Sequence, residues 1–407
     1  MLHIAILGFG NIGSGTADVF IENESVISKK LGDTVNIKYI LDIVDIKNHP
    51  LSDRQVKDFD IILNDPDISL IVETIGGAGV AYKFTKAALE KGINVVTSNK
   101  ELVATYGAEL LSIAAKTNTR YFFEASVGGG IPIIRPIYNC LAANKINQIA
   151  AIVNGTTNFI LTKMSSENWD FDTALKTAQE LGYAERDPSD DIDGKDSCRK
   201  ICILSSLAFG RQLPPEKVYN EGIRNITLED IKNAEKIGYK IKLIAKSKQI
   251  AAPDSLYVIV APMLVPRSSP LYNIDDVFNG IVVTGNAIGD VMFYGRGAGK
   301  LPTASAVAAD VIDVFLKSTK NMTWDVSDGG YVSDYKNQTI KYYIRIDSQN
   351  TADHSILKWF PEIEIYKSHN NKELFFVTND LSEKELDEKI GLLSGAGLNI
   401  LSKIRIL

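Results

Sequence analysis

The strongest constraint on this chain lies near its start. An apolar run, Ile4-Ala5-Ile6-Leu7, ends directly in Gly8-Phe9-Gly10-Asn11-Ile12-Gly13, and a helical spacing of apolar residues follows at Ile12, Ala17, Val19 and Phe20. In that strand, turn and helix order, the glycines allow a tight turn and close backbone approach. A pyrophosphate can then rest on the unpaired N–H groups of the helix N-terminus. Gly8, Phe9, Gly10, Asn11, Ile12 and Gly13 are therefore candidate NAD(P)-binding residues, and the chain reads as an oxidoreductase. Asp42 closes the next apolar run, where a carboxylate would bind the ribose hydroxyls of NAD and repel the extra phosphate of NADP. It comes later than the usual ~20 residues after the turn, because a polar stretch over residues 22–33 lengthens the first crossover. NAD is favoured, and NADP stays open through the nearby Lys47.

The pattern continues with apolar runs His3–Leu7, Ile37–Leu41, Leu70–Thr74, Asn94–Thr97 and Arg120–Glu124, and with helical stretches such as Tyr82–Lys91 and Glu101–Lys116. Near-continuous apolar strands between helices imply a parallel sheet covered on both faces, a Rossmann-type doubly wound α/β domain. From residue 131 to 297 the pattern is α+β, with strands Gln148–Val153, Tyr257–Val260 and Ile281–Thr284 and helices Phe171–Leu181 and Asp196–Phe209. The helical stretch Leu301–Lys317 would pack back on the first domain. Residues 1–130 plus 298–320 thus form a nucleotide domain, 131–297 a substrate domain, 321–337 a polar linker and 338–407 a tail. The tail reads as strand Ile340–Ile346, helix His354–Phe360, strands Glu362–Tyr366 and Glu373–Val377, helix Glu383–Leu393 and strand Ile400–Ile406. That βαββαβ order predicts a small ferredoxin-like module.

A net charge of −6 with no Lys/Arg-rich block argues against a nucleic-acid partner and for small-molecule chemistry. Cys140, Cys198 and Cys202 form no CxxC pair, so free thiols in a reducing compartment are expected. No apolar run is long enough to span a membrane and no leader pattern precedes Ile4, which predicts a cytoplasmic protein.

Chemistry concentrates in the acidic stretch from Gly182 to Gly194. As a calcium loop, Ser189, Asp191, Asp193 and Gly194 fit the early positions, but Lys200 stands where a bidentate glutamate is needed. Lys200 lies one helical turn after Asp196 on an apolar stripe, which suits either a tuned proton carrier or a surface Asp–Lys pair with a snorkelling stem. Lys100 follows a strand end at the carboxyl edge of the parallel sheet, where ligands of such folds bind. Glu124–Pro132 is a strand end entering a glycine turn that could offer carbonyls to a cation or simply make the domain crossover. Asn154-Gly155-Thr156-Thr157-Asn158 suits helix capping and substrate contact equally. Cys198 and Cys202 have no histidine companion, which favours packing over metal binding.

Seven ordered stretches carry a family resemblance: Gly8–Gly13, Val72–Gly77, Thr97–Leu102, Glu124–Pro132, Val153–Phe159, Gly182–Lys200 and Gly295–Ser305. Together they resemble the homoserine dehydrogenases over roughly residues 1–320. The resemblance implies interconversion of L-homoserine and L-aspartate 4-semialdehyde with a nicotinamide cofactor, in threonine, methionine and isoleucine biosynthesis. It implies Lys200 as the acid/base lysine, Lys100 as a second active-site lysine near cofactor and substrate, Glu185 on the substrate amino group, and Asp191 and Asp196 as companion carboxylates. Ser98 and Gly297 join the cofactor set, and Glu124, Val127, Gly129 and Ile131 become ligands of a monovalent cation, Na+ or K+. No kinase region precedes the turn, so a monofunctional enzyme is expected, as a homodimer or homotetramer. The tail resembles an ACT module, although its Asp347–His354 loop lacks the glycine such modules use for close ligand approach, which weighs against feedback control. The rivals are a dehydrogenase of another amino-acid semialdehyde and a non-catalytic NAD(H) sensor, for which lysines at both 100 and 200 would have no use.

Overall fold

The computed structural model describes residues 1–250, 255–347 and 353–407, the side chains of 353–355 excepted. The chain opens with β1 (Leu2–Leu7), β2 (Val35–Leu41), β3 (Gln55–Val56), β4 (Ile68–Glu73), β5 (Asn94–Thr97) and β6 (Tyr121–Phe122). All pair in parallel, in the order β3-β2-β1-β4-β5-β6, so the strand order reverses between β1 and β4. In such sheets the crevice at the reversal is where ligands sit. Ile4, Ala5, Ile6 and Leu7 are fully buried, as a strand covered on both faces requires. The covering helices are α1 (Asn11–Glu22), α2 (Glu24–Leu31), α3 (Phe59–Leu63), α4 (Gly79–Glu90) and α5 (Lys100–Lys116).

Two details differ from the sequence pattern. The polar stretch after α1 is the helix α2, which buries only Ile27 and stops at Gly32 in a left-handed conformation. The strand expected over Arg120–Glu124 shrinks to β6, because Glu124 turns into a short 3-10 segment whose carboxylate collects main-chain N–H groups from residues 133–135.

A second, mixed sheet holds β7 (Ile146–Ile152), β8 (Tyr219–Asn220), β9 (Tyr239–Gln249), β10 (Leu256–Pro266), β11 (Phe278–Gly285) and β12 (Gly289–Arg296), in the order β12-β11-β7-β9-β10 with β8 on β10. Sequence periodicity missed β9 and β12. The first alternates lysine with apolar residues like a solvated surface, and the second is a largely exposed hairpin arm. Helices α6 (Gly155–Ser166), α7 (Phe171–Glu180), α8 (Ser189–Ile192), α9 (Lys195–Phe209) and α10 (Leu228–Lys236) accompany this sheet. α11 (Lys300–Leu316) returns to the first layer and packs on α1, where Gly15 leaves room for Lys300 and Ala304.

The stretch read as a linker is strapped down: Asp325 exchanges main-chain bonds with Gly210 and Gln212, the Trp324 indole donates to Gln212 Oε1 at 2.8 Å, and Met322 and Trp324 are buried. The tail contains β13 (Thr339–Ile340), β14 (Tyr342–Asp347), α12 (Asp353–Trp359), β15 (Ile365–Lys367), β16 (Glu373–Val377), β17 (Leu381–Ser382), α13 (Glu383–Gly395) and β18 (Ile400–Ile406). Its main strands lie in the order β18-β14-β16-β15, and β18 pairs in parallel with β10, so tail and substrate region share one sheet. The Asp347–His354 loop falls mostly outside the described residues. Cys198 and Cys202 are buried on α9, Cys140 is exposed, and all three are free thiols.

Candidate active site

At the first turn, a Cβ on Gly13 would lie 2.0 Å from the Gly8 carbonyl oxygen, so only glycine permits this closeness of strand and helix. Gly10 caps α1 without any side-chain bond, and a Cβ there would meet nothing within 4 Å. The helix thus presents uncapped N–H groups to open space, which fits a pyrophosphate. Asp42 is fixed beside the turn: its carboxylate accepts from Phe9 N at 2.5 Å and Val44 N at 2.8 Å.

Across the strand-order reversal, Glu73 ends β4 fully buried and accepts from Thr97 Oγ1 at 2.5 Å and Ile75 N at 2.6 Å. Burial pushes its carboxyl up to about 7. Asn99 caps α5 by accepting from Leu102 N, while its amide donates to the carbonyls of Ile75 and Gly77. Ser98, half-buried, donates its N–H to Glu73 O at 3.3 Å. This frame sets Lys100 as the first residue of α5.

Lys100 reaches the second half of the site, where its Nζ lies 2.6 Å from Asp196 Oδ1. The other Asp196 oxygen accepts from Lys200 Nζ at 2.7 Å, one turn further along α9, and Lys200 also donates to Val153 O at 2.7 Å at the end of β7. Asn154 caps α6 through its side-chain oxygen, and its amide bridges Asp191 Oδ1 at 2.7 Å and Asp196 Oδ2 at 2.8 Å. Capping and site contact, left open by the sequence, are served by the two ends of one amide. Burial would raise the Asp196 carboxyl, but Lys200 and Lys100 outweigh it and hold the group well below the usual carboxylate range. Burial also works against the charge on Lys100, and contact with Asp196 more than restores it, leaving the ammonium above its ordinary value. Asp191 is paired with the Asn154 amide, and burial, helped by Asp196, raises its pKa against the pull of Asn154, Lys200 and Lys100.

Two ammonium groups from helices α5 and α9 clamped on one buried carboxylate, in a chain that also carries the open glycine turn, suit proton handling beside a hydride donor. Family models agree with this geometry. The model described as homoserine dehydrogenase, NAD binding domain matches residues 8–124, and that described as homoserine dehydrogenase matches residues 132–312. The chain belongs to the homoserine dehydrogenase family.

Among homoserine dehydrogenases it is 43% identical to that of Neisseria gonorrhoeae over 316 residues, 77% of this chain and 72% of the relative. It is 34% identical to that of Corynebacterium glutamicum over 408 residues, 96% and 92% of the two chains. A solved homoserine dehydrogenase from Thiobacillus denitrificans superposes with a TM-score of 0.90 at 31% identity, covering 100% of this chain and 98% of that one. A hyperthermophilic archaeal homoserine dehydrogenase in complex with NADPH superposes with a TM-score of 0.67 at 31% identity, covering 79% and 99%. The chain is therefore a homoserine dehydrogenase, an NAD(P)-dependent oxidoreductase of a small-molecule substrate. No helix among its described residues is long and apolar enough to cross a membrane.

Not every residue that the homoserine dehydrogenase resemblance picked out joins the cluster. Glu185 is exposed on the loop between α7 and α8, where its main-chain oxygen accepts from Gln179 Nε2, and it makes none of the contacts that bind the cluster together. The Glu124 carboxylate accepts from Ile133 N, Ile134 N and Arg135 N and Nε at 2.6–3.1 Å, so it is committed to the crossover. Val127 and Ile131 are buried and Gly129 lies against Gly297. Among the described residues no group of three or more His, Cys, Asp and Glu side chains is placed to hold a metal. Glu73 and Asn99 were not singled out by the sequence, whereas Asn154 was, with capping and substrate contact left equal. For Glu73 the available signal was a carboxylate ending the apolar run Leu70-Ile71-Val72, a position too buried for an unused charge.

Proposed function

We propose that Lys200 moves the proton of the reacting oxygen and that Lys100 steadies the charge developing there, with Asp196 holding both. When bound at the glycine turn, the nicotinamide supplies or accepts the hydride at C4 of the substrate. In the reductive direction the Lys200 ammonium gives a proton to the aldehyde oxygen, forming the homoserine hydroxyl, and in the oxidative direction neutral Lys200 takes it back. The carrying observation is the Lys100–Asp196–Lys200 clamp. An ammonium has three N–H donors, and Asp196 and Val153 O occupy two on Lys200, leaving one for substrate. Lys100, kept charged by Asp196, suits electrostatic stabilisation of the reacting oxygen. Asp191, a half-buried carboxylate held by the Asn154 amide, suits the substrate ammonium, with Glu185 on the neighbouring loop completing that end. Lys200→Ala should lower homoserine turnover by about 10²–10⁴-fold with the cofactor dissociation constant unchanged. Near-normal turnover in this variant removes the assignment.

The cofactor set we propose comprises Gly8 to Gly13, Asp42, Ser98, Lys100 and Gly297. Asp42, held by two main-chain N–H groups, supports NAD, while the nearby Lys47 keeps NADP open. For a monovalent cation, the main-chain oxygens of Glu124, Val127, Gly129 and Ile131 are the proposed donors. Beside them both polar atoms of the Asn279 amide, buried against Gly297, lack a hydrogen-bond partner, as at a site completed by an ion or water. We further read the chain as nucleotide, substrate and ACT-like units divided near residues 130, 298 and 338, acting as a cytoplasmic homodimer or homotetramer. The βαββαβ tail order with neighbours β18-β14-β16-β15 supports the ACT-like reading.

A further inference from the structure

The last strand of the tail ends in a buried arginine with a long reach. Arg405 is 2% exposed, and its guanidinium forms a fork on Glu383, with Nη2 2.7 and 2.9 Å from the two carboxylate oxygens, while Nη1 lies 2.7 Å from Glu221 Oε2. It also sits over the Tyr219 ring, 4.9 Å from the centroid, and Tyr219 donates its hydroxyl to the same Glu221 oxygen at 3.1 Å. Glu221 and the Tyr219 ring are thus the side chains by which Arg405 grips the segment 219–224, which β10 also holds through Glu221 N donating to Val260 O at 2.8 Å.

That segment lies under the acidic loop of the active site. Asn220 Nδ2 donates to Asp193 O at 2.7 Å, and Ile223 N donates to Ile192 O at 2.8 Å. Between them Gly222 is so close that a Cβ would stand 2.1 Å from the Ile192 oxygen. Arg224 closes the far end on the Asp193 carboxylate. The loop so held carries Asp191 and leads through Gly194 into α9 with Asp196 and Lys200.

We propose that Arg405 is a positioning residue for substrate binding: through Glu221 it fixes the 219–224 strap, whose backbone fixes the loop bearing Asp191. The tail is then a part of the substrate site's support. The inference rests on the reading that Asp191 faces the substrate amino group. No element of the nucleotide turn lies on this path, so the effect falls on homoserine and spares the cofactor.

The test uses the full-length enzyme with Arg405→Gln, Arg405→Lys and Glu221→Gln, each checked for an unchanged near-ultraviolet circular dichroism spectrum. Two readouts are compared: amide hydrogen exchange over residues 189–194 and at Ile223, and the homoserine KM beside the NAD(P) dissociation constant. Arg405→Gln and Glu221→Gln should each speed exchange there and raise the homoserine KM about tenfold, with the cofactor constant within about twofold. Combining the two should add little, because both cut one link, and Arg405→Lys should recover part of the loss. Unchanged loop exchange in a folded Arg405→Gln enzyme overturns the proposal, as does a parallel rise in cofactor dissociation. Faster loop exchange with an unchanged homoserine KM instead removes the reading of Asp191, and the substrate role of the strap with it. Should Arg405→Gln fail to fold, Glu221→Gln, which leaves the Arg405–Glu383 fork in place, decides by the same outcomes.

Discussion

Asp196 shows how one residue can carry both stability and chemistry. It is 3% exposed and pairs with both Lys100 and Lys200, so replacing it with asparagine leaves two ammonium groups facing a neutral amide. Breaking a buried pair in this way costs about 3–5 kcal/mol. Asp196→Asn should therefore lower unfolding free energy by that order in denaturant titration and also lose homoserine turnover. Glu73 makes a pH prediction. In the unfolded chain its carboxyl loses its proton near the ordinary 4.5, and in the fold only near about 7, so between these values the folded state binds more protons. Its contribution to stability then falls as pH rises through that window. Glu73→Gln should flatten this part of the stability profile relative to the parent, and an unchanged slope would count against a buried, titrating Glu73. Much of the residue-level site was legible in advance. The spacing placed Asp196 and Lys200 on one helical face, but whether that pair was a solvated surface bridge depended on burial, which local spacing does not encode. Asn154 was named but its two roles could not be told apart, and Glu73 escaped, because these roles arise only when β7 meets α9 and β4 meets β5.

Elements explain why the lysines meet at all. Lys100 is set by the end of β5 and the Asn99 cap of α5, and Lys200 by the register of α9 behind a left-handed Gly194. The parallel sheet could be read from its apolar runs because strands buried on both faces leave an unmixed signal. β9 could not: Lys240, Lys242, Lys246 and Lys248 dominate its sequence, yet Lys242 is buried on Asn158, Ile274 O and Asp275, and burial pulls its pKa down to about 8. The glycine turn gives the sharpest test at this scale. Gly13→Ala would put a methyl group 2.0 Å from the Gly8 oxygen, so the strand and α1 must part. A loss of about 1–3 kcal/mol in stability and a tenfold or greater rise in the cofactor dissociation constant should follow, measured by thermal melting and fluorescence titration. Normal cofactor binding would mean that the turn does not receive the pyrophosphate.

At the scale of the whole molecule, the chain is joined by sheet and by buried charge. β18 extends the substrate sheet from β10, and Arg345 on β14 reaches across to α10, where its Nε lies 2.9 Å from the fully buried Asp230. Removing that guanidinium strands the Asp230 carboxylate, so Arg345→Ala should destabilise the protein by about 3–5 kcal/mol in denaturant titration, and a change near zero would show that the joint is not a structural one. The βαββαβ order of the tail was readable from its own residues, whereas its merger with the substrate sheet was not, since strand pairing between distant segments leaves no local periodicity. The central claim is that Lys200 faces the reacting oxygen. Its most direct test is a crystal structure of the enzyme with homoserine and the oxidised cofactor. The account predicts the substrate hydroxyl within about 2.6–3.2 Å of Lys200 Nζ and its C4 turned to the nicotinamide. A hydroxyl held elsewhere, with Lys200 still bound only to Asp196 and Val153, would contradict it.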